Sequence, residues 1–193
     1  MSVNLAVFAA VLHGIAYIIY LSQIHSGGSV PNPASWSVWA FSSTLNAFAY
    51  ASARKDWTKS LQFFTGAVMC LVVFGYSLGA GRFSPLDPLG YWIAGLCIVA
   101  CVVWKLTRAS YASVMMGGIL LISGYPTVLG VWRNPAMERP LPWLLWTVAF
   151  ACTLATVQID REKIRLTEPR VWMVAVVPIG GILLHGVVAF LAR

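Results

Sequence analysis

The chain predicts an all-α integral membrane protein: seven transmembrane helices arranged as two parallel three-helix repeats joined by a linker helix. The first indication is composition, since 59% of the 193 residues are apolar, only 10% are charged and the mean hydropathy is +0.77, beyond what a water-facing domain of this length carries. The second is pattern: the apolar stretches are continuous over the roughly 17–25 residues that span a bilayer as a helix, whereas barrel strands would alternate. The third is repetition. "PNPASWSVWAF", Pro31 to Phe41, returns as "ERPLPWLLWTV", Glu138 to Val148, with Pro33, Trp36 and Trp39 in register with Pro140, Trp143 and Trp146.

The expected spans are Asn4 to Ile24, Trp36 to Ala53, Leu61 to Ala80, Leu89 to Thr107, Tyr111 to Trp132, Pro142 to Ile159 and Val171 to Leu191. The first lacks a basic n-region and is longer than the apolar part of a usual signal peptide, so it is expected to be retained. Gly27, Gly28, Pro31 and Pro33 break the chain after it, "ARKDWTK" after the second span and "GRFSPLDP" after the third. "RAS", "RNPAMERPLP" and "DREKIRLTEPR" separate the rest, and no connection can hold a soluble domain. A shift of 107 positions lays the first three spans on the last three. The odd count per unit requires the fourth span to restore parallel orientation. Residues 1–80 then form the first repeat, 81–109 the linker helix and 110–193 the second repeat. From Pro33 to Trp57 the matches are Pro33, Trp36, Trp39 and Arg54, at Pro140, Trp143, Trp146 and Arg161.

Charge reports orientation rather than a partner. Arg54, Lys55, Lys59, Lys105, Arg108, Arg161, Lys163, Arg165 and Arg170 share a face with the N-terminus. Arg82, Arg133, Arg139 and Arg193 lie on the other, nine against four. Cytoplasmic loops are enriched in Lys and Arg, so the N-terminus is expected inside and the C-terminus outside, in a cell membrane of the bacterial inner-membrane type. The formal charge of +7 is scattered through short connections, with no basic face for nucleic acid.

Several chemistries are absent. Cys70, Cys97, Cys101 and Cys152 fall within spans as small apolar residues; Cys97 and Cys101 share a helix face that lacks His or carboxylate partners, so no metal is expected. The acids, Asp56, Asp87, Glu138, Asp160, Glu162 and Glu168, all lie at helix ends or in connections. That placement argues against carboxylate-driven symport and for facilitated diffusion. The last span has no Lys to carry retinal, and no paired carboxylates, Ser–His pair or H-E-x-x-H turn supports an enzyme. No cofactor is expected.

"SGYPTVLGVWRNPAMERPLPWLLW", Ser123 to Trp146, resembles the phrase of the PQ-loop, SWEET and nicotinamide-riboside transporter superfamily in which a first-helix proline precedes a short loop and a second helix. The three-one-three plan is similar across the whole chain, and the likeness is closest to small bacterial membrane proteins of unassigned function. There is no literal Pro-Gln dipeptide: the second half has Pro126-Thr127 and the first Ser22-Gln23. The inward N-terminus also differs from the sugar-transporting eukaryotic members. The resemblance implies a substrate site near the midplane between the two units, bounded by spans one, two, five and six.

The candidate solute contacts are Trp39, Asn46, Trp146 and Thr153. Asn46 lies mid-helix near Ser42, Ser43 and Thr44, with Thr153 as its repeat counterpart. A buried amide must face another helix or a wet cavity, so it either contacts solute or holds the bundle. Trp36 and Trp143 at the helix entries read as interfacial belt residues, and Trp39 and Trp146 one turn deeper offer ring faces to a ligand. Pro126, with Gly124 before it, is either a hinge or the end of its helix. Gly14 and Tyr17 to Tyr20 would stand opposite. His13, His185 and Gln23 are intramembrane polar candidates, each functional or satisfied by a neighbouring helix.

The expected function is a passive carrier of a small neutral polar solute, such as a sugar or a nucleoside-like vitamin, surrounded by membrane lipids. The alternative is a non-transporting membrane scaffold or subunit that holds a partner protein. A polar cavity reaching Asn46 favours the carrier, and dry packing by Phe41, Leu45 and Phe48 the scaffold.

Overall fold

The computed structural model describes residues 2–54, 56–84, 109–164 and 168–192, together with Pro88, Tyr91, Trp92, Gly95, Val99, Val102 and Leu106. The described residues form six α-helices and no strand: α1 (Ser2–Ser26), α2 (Pro33–Arg54), α3 (Leu61–Gly79), α4 (Ala109–Arg133), α5 (Pro140–Ile164) and α6 (Glu168–Leu191). Single 3₁₀ turns, Thr58–Ser60 and Pro135–Met137, lead into α3 and α5. Most of the expected fourth span lies outside the described residues; the seven described between 88 and 106 are helical and exposed.

The chain punctuates its helices as local chemistry dictates. α1 ends where Gly27 takes φ 76°, which lets the amides of Gly28 and Ser29 turn back to the Gln23 carbonyl at 2.7 and 3.2 Å. α2 opens with Asn32 accepting from the Ser35 amide at 3.1 Å and Pro33 in the first turn, where its missing N–H costs nothing. α4 runs seven residues past Pro126 to Arg133, so this proline interrupts the helix ladder rather than ending the helix. α6 likewise contains Pro178.

Among the described residues four stretches are long and apolar enough to cross a membrane: Ser2–Ser26, Thr58–Gly79, Pro140–Asp160 and Val174–Leu191. The distribution of side chains agrees. α1 turns Val7, Phe8, Val11, Ile15 and Ile18 outward and buries Ala6, Ala9, His13, Ala16 and Gln23. An apolar exterior around small and polar interior residues suits helices packing in lipid, where close approach and hydrogen bonding hold the bundle. α2 carries Ser35, Ser42, Ser43, Thr44 and Asn46 among its apolar residues, and packing against α3 and α4 accounts for its place.

The principal pairings follow a pattern. α3 packs against both α1 and α2, and α6 against both α4 and α5; between the halves, α1 meets α5 and α2 meets α4. Exchanging α1 with α4, α2 with α5 and α3 with α6 maps this set onto itself. Two apolar cores fill the bundle. One, built on Tyr17, Tyr20, Trp36, Trp39, Trp143 and Trp146, lies towards the 27–32 and 134–139 connections. The other, with Tyr50, Phe63, Phe150 and Val157, lies towards the opposite end.

Candidate functional site

Trp36 and Trp143 overturn the expected aromatic belt: they are 1% and 0% exposed and stand inside the bundle. Tyr20 stacks on Trp36 at 5.0 Å between ring centroids, Trp36 meets Trp39 at 5.1 Å, Trp143 meets Trp146 at 5.1 Å and Tyr17 meets Trp146 at 4.8 Å. The two Trp-x-x-Trp phrases thus converge on one another from opposite halves. Rings in edge-to-face contact gain about 0.5–1.5 kcal/mol per pair beyond their burial, which makes this cluster a firm joint.

Below the joint lies a cavity of about 60 Å³, room for a few waters. Its walls are largely aromatic: Tyr17, Trp36, Trp39, Phe63, Trp146 and Phe150. Polar atoms enter at a few points only. Asn46, 2% exposed, lines it, and among the described residues neither its Oδ1 nor the indole N–H of Trp146, another lining residue, has a hydrogen-bond partner. The Trp39 indole instead donates to the Leu120 carbonyl at 3.3 Å, joining α2 to α4. Phe41 and Phe48 face outward at 52% and 53% exposure, so they do not close over Asn46.

Both intramembrane histidines line this cavity. Gln62 Nε2 lies 3.3 Å from His13 Nδ1. An amide nitrogen only donates, so Nδ1 accepts and the neutral ring carries its hydrogen on Nε2. That nitrogen points at Gly66, where an added Cβ would come within 3.1 Å of it. His185 Nδ1 lies 2.6 Å from the Gly181 carbonyl, which only accepts, so here Nδ1 bears the hydrogen and Nε2 keeps a lone pair. Phe150 stands between them, 5.3 Å from His13 and 5.2 Å from His185. The cavity is thereby offered one imidazole as donor and one as acceptor.

Of the expected contacts, Trp39, Asn46 and Trp146 meet at the cavity. Thr153 stands one step behind, donating to Gln62 Oε1, and Gln62 in turn reaches the cavity wall. Gln23 is elsewhere, accepting from Ser29 Oγ at 3.1 Å. Pro126 borders a second, smaller hollow beside Glu138. Gly124 is covered by Leu184, whose side chain a Cβ there would meet. Tyr17 lines the cavity, Tyr20 belongs to the ring cluster and Gly14 packs near Thr65. Besides the four spans expected to bound a site, α3 lines this cavity with Gln62, Gly66 and Cys70, and α6 with Val177, Gly181 and His185.

Two acids that the sequence places at helix ends or in connections, Asp160 within α5 and Glu138 in the loop before it, are not solvated. Asp160, 3% exposed, pairs with Lys59 at 3.0 Å, and Lys59 also holds Asp56 at 3.2 Å, so this ion pair ties the start of α3 to α5. Asp56 is partly desolvated, yet bonds from the Lys59 backbone and side chain hold its carboxyl below the usual range. At the other end Glu138, 4% exposed, accepts from Tyr20 at 2.7 Å and from the Trp143 indole at 3.2 Å. Burial raises its pKa from 4.5 to about 7 against the opposing pull of those donors. Gln62 and Glu138 escaped sequence reasoning because each sits at the edge of an apolar segment, where polar residues are ordinarily solvated. Among the described residues no group of three or more His, Cys, Asp or Glu could hold a metal. Comparisons with protein-family models, curated proteins and solved structures find no match to this chain.

Proposed function

We propose that the chain is a passive membrane carrier of a small neutral polar solute, a sugar or a nucleoside-like vitamin, built on the three-one-three plan of the PQ-loop, SWEET and nicotinamide-riboside superfamily. The observation that carries the proposal is that two residues lining one cavity where the two helix groups meet, Asn46 and Trp146, each bury a polar atom, Oδ1 and Nε1, without a partner among the described residues. A buried polar atom without a partner is costly, roughly 1–3 kcal/mol, and a bound solute with both a donor and an acceptor removes that cost. Aromatic walls with sparse polar groups suit a ligand that has an apolar face. The exchange symmetry of the helix pairings supports two units that move relative to each other. The two connecting joints, rings and Glu138 at one end and Lys59 with Asp160 at the other, are where such motion would open the cavity.

Thermal unfolding of the purified protein in mild detergent, against a panel of sugars, nucleosides and vitamins, tests this directly. A ligand at ten times its dissociation constant adds about 1.4 kcal/mol if it binds the folded state alone. Stabilisation by one chemical class, lost in Trp39→Ala and Asn46→Ala, supports the carrier and leads to liposome flux. No shift from any compound, with both variants as stable as the parent, refutes a solute site here and favours a scaffold.

A further inference from the structure

We propose that Glu138 and the hollow beside it form a binding site for a small monovalent cation, H⁺ or Na⁺, at the joint between the two helix groups. The carboxyl is almost wholly buried, and among the described residues it is held only by neutral donors, Tyr20, Trp143 and Ser29. α1 presents Tyr20, and Gln23 is turned to Ser29; α5 presents Trp143; α4 presents Thr127, which donates to Ser35 at 2.9 Å. Asn32, from the connection after α1, completes the polar lining. The adjacent cation, Arg139, packs its guanidinium over Gly28, where an added Cβ would meet Nε at 2.6 Å, and it is not among the groups that act on the Glu138 carboxyl.

A carboxylate so placed carries a charge that no described group neutralises, and an interior carboxyl in that position is held either protonated or matched by an ion. The hollow, about 20 Å³, has room for one or two waters or a bare ion. Its other walls include Pro126, which lacks the N–H that would cap the Ile122 carbonyl. The upward displacement of the Glu138 pKa to about 7 agrees with proton occupancy under ordinary conditions. Occupancy decides whether the contact to Tyr20 is a neutral or a charge-assisted bond, and so how firmly α1 is held to the α4–α5 connection. The site stands without the carrier proposal; only its consequence, a solute flux that depends on pH or Na⁺, rests on it.

Infrared difference spectroscopy of the whole protein in detergent, between acid and alkaline pH in choline chloride and in sodium chloride, reads the site without any solute. A protonated carboxyl band should vanish with a midpoint near 7 in choline and be missing from Glu138→Gln. Should that variant fail to fold, Tyr20→Phe removes one donor to the anion and must move the midpoint upward. A lower midpoint in sodium chloride assigns the site to both ions, and an unchanged one to the proton alone. Absence of a protonated carboxyl at neutral pH in choline, or a midpoint indifferent to Tyr20→Phe, overturns the inference. Either result leaves the solute panel untouched, so the two proposals fail separately.

Discussion

Replacing Thr153 by Val keeps the shape of a side chain that is buried in α5 and deletes its hydroxyl. The loss falls on Gln62, whose Oε1 accepts from Thr153 and whose Nε2 donates to His13 at 3.3 Å. Interhelical bonds in membranes average only about 0.6 kcal/mol, because polar groups there commonly find substitute partners. Gln62 Oε1 is fixed by the bond its amide makes to His13, so the orphaning penalty of about 1–3 kcal/mol is the better guide, and Thr153→Val is expected to cost about 1–2 kcal/mol. In a Gln62→Leu background the same change should cost almost nothing, since the Thr153 hydroxyl then has only its own helix carbonyls to meet. A cycle of thermal unfolding midpoints in one detergent measures this, with an expected coupling of about 1 kcal/mol. Equal losses in both backgrounds would show that no Thr153–Gln62 bond contributes, and the account of how α1, α3 and α5 set the cavity wall would fail.

Gly181→Ala should destabilise by about 1–3 kcal/mol, since its Cβ would stand 2.5 Å from the Phe150 ring, which His13 and His185 hold on either side. Gly186→Ala, with nothing nearer than 3.8 Å, serves as the control in the same melt. Lys59→Met should cost up to about 3 kcal/mol and more than Asp56→Asn, because the Asp160 side chain is 5% exposed and the Asp56 side chain 32%. Equal effects would place the inner ion pair in solvent. The raised Glu138 pKa means that the folded state holds the extra proton between pH 4.5 and about 7, so stability declines as pH rises through that window and levels above it. At about 1.4 kcal/mol per unit the decline is on the order of 3 kcal/mol, and melts of Glu138→Gln across pH should lack it.

Much of the bundle was legible because lipid imposes it. Continuous apolar runs broken by Gly, Pro and charge mark helix ends, and the bounds of α1, α3, α5 and α6 lie close to those read from the sequence. The fourth span was equally plain as an apolar run, yet it falls largely outside the described residues. Asn46 was legible as a site candidate on the same grounds, a polar amide where none can be solvated. Trp36 was misread because a tryptophan at a helix entry suits either a headgroup boundary or an interior, and only the partner rings distinguish them. Gln62 was passed over for a similar reason. It is the second residue of α3, a place normally wet, but α3 starts deep enough to lay it between His13 and Thr153.

The sequence by itself determined that this chain is helical and suited to a bilayer, where its helices begin and end, and that one Trp-bearing phrase occurs twice. Each of those follows from local periodicity and from the cost of bare backbone in hydrocarbon. Tertiary structure alone decided that the two phrases face each other and that Asn46 and Trp146 share a cavity. It also decided that a glutamate from a loop is buried against Tyr20, 118 positions away in the chain. Which helix lies against which is set by contacts between residues far apart in the chain. No local pattern encodes the depth at which a side chain will come to rest.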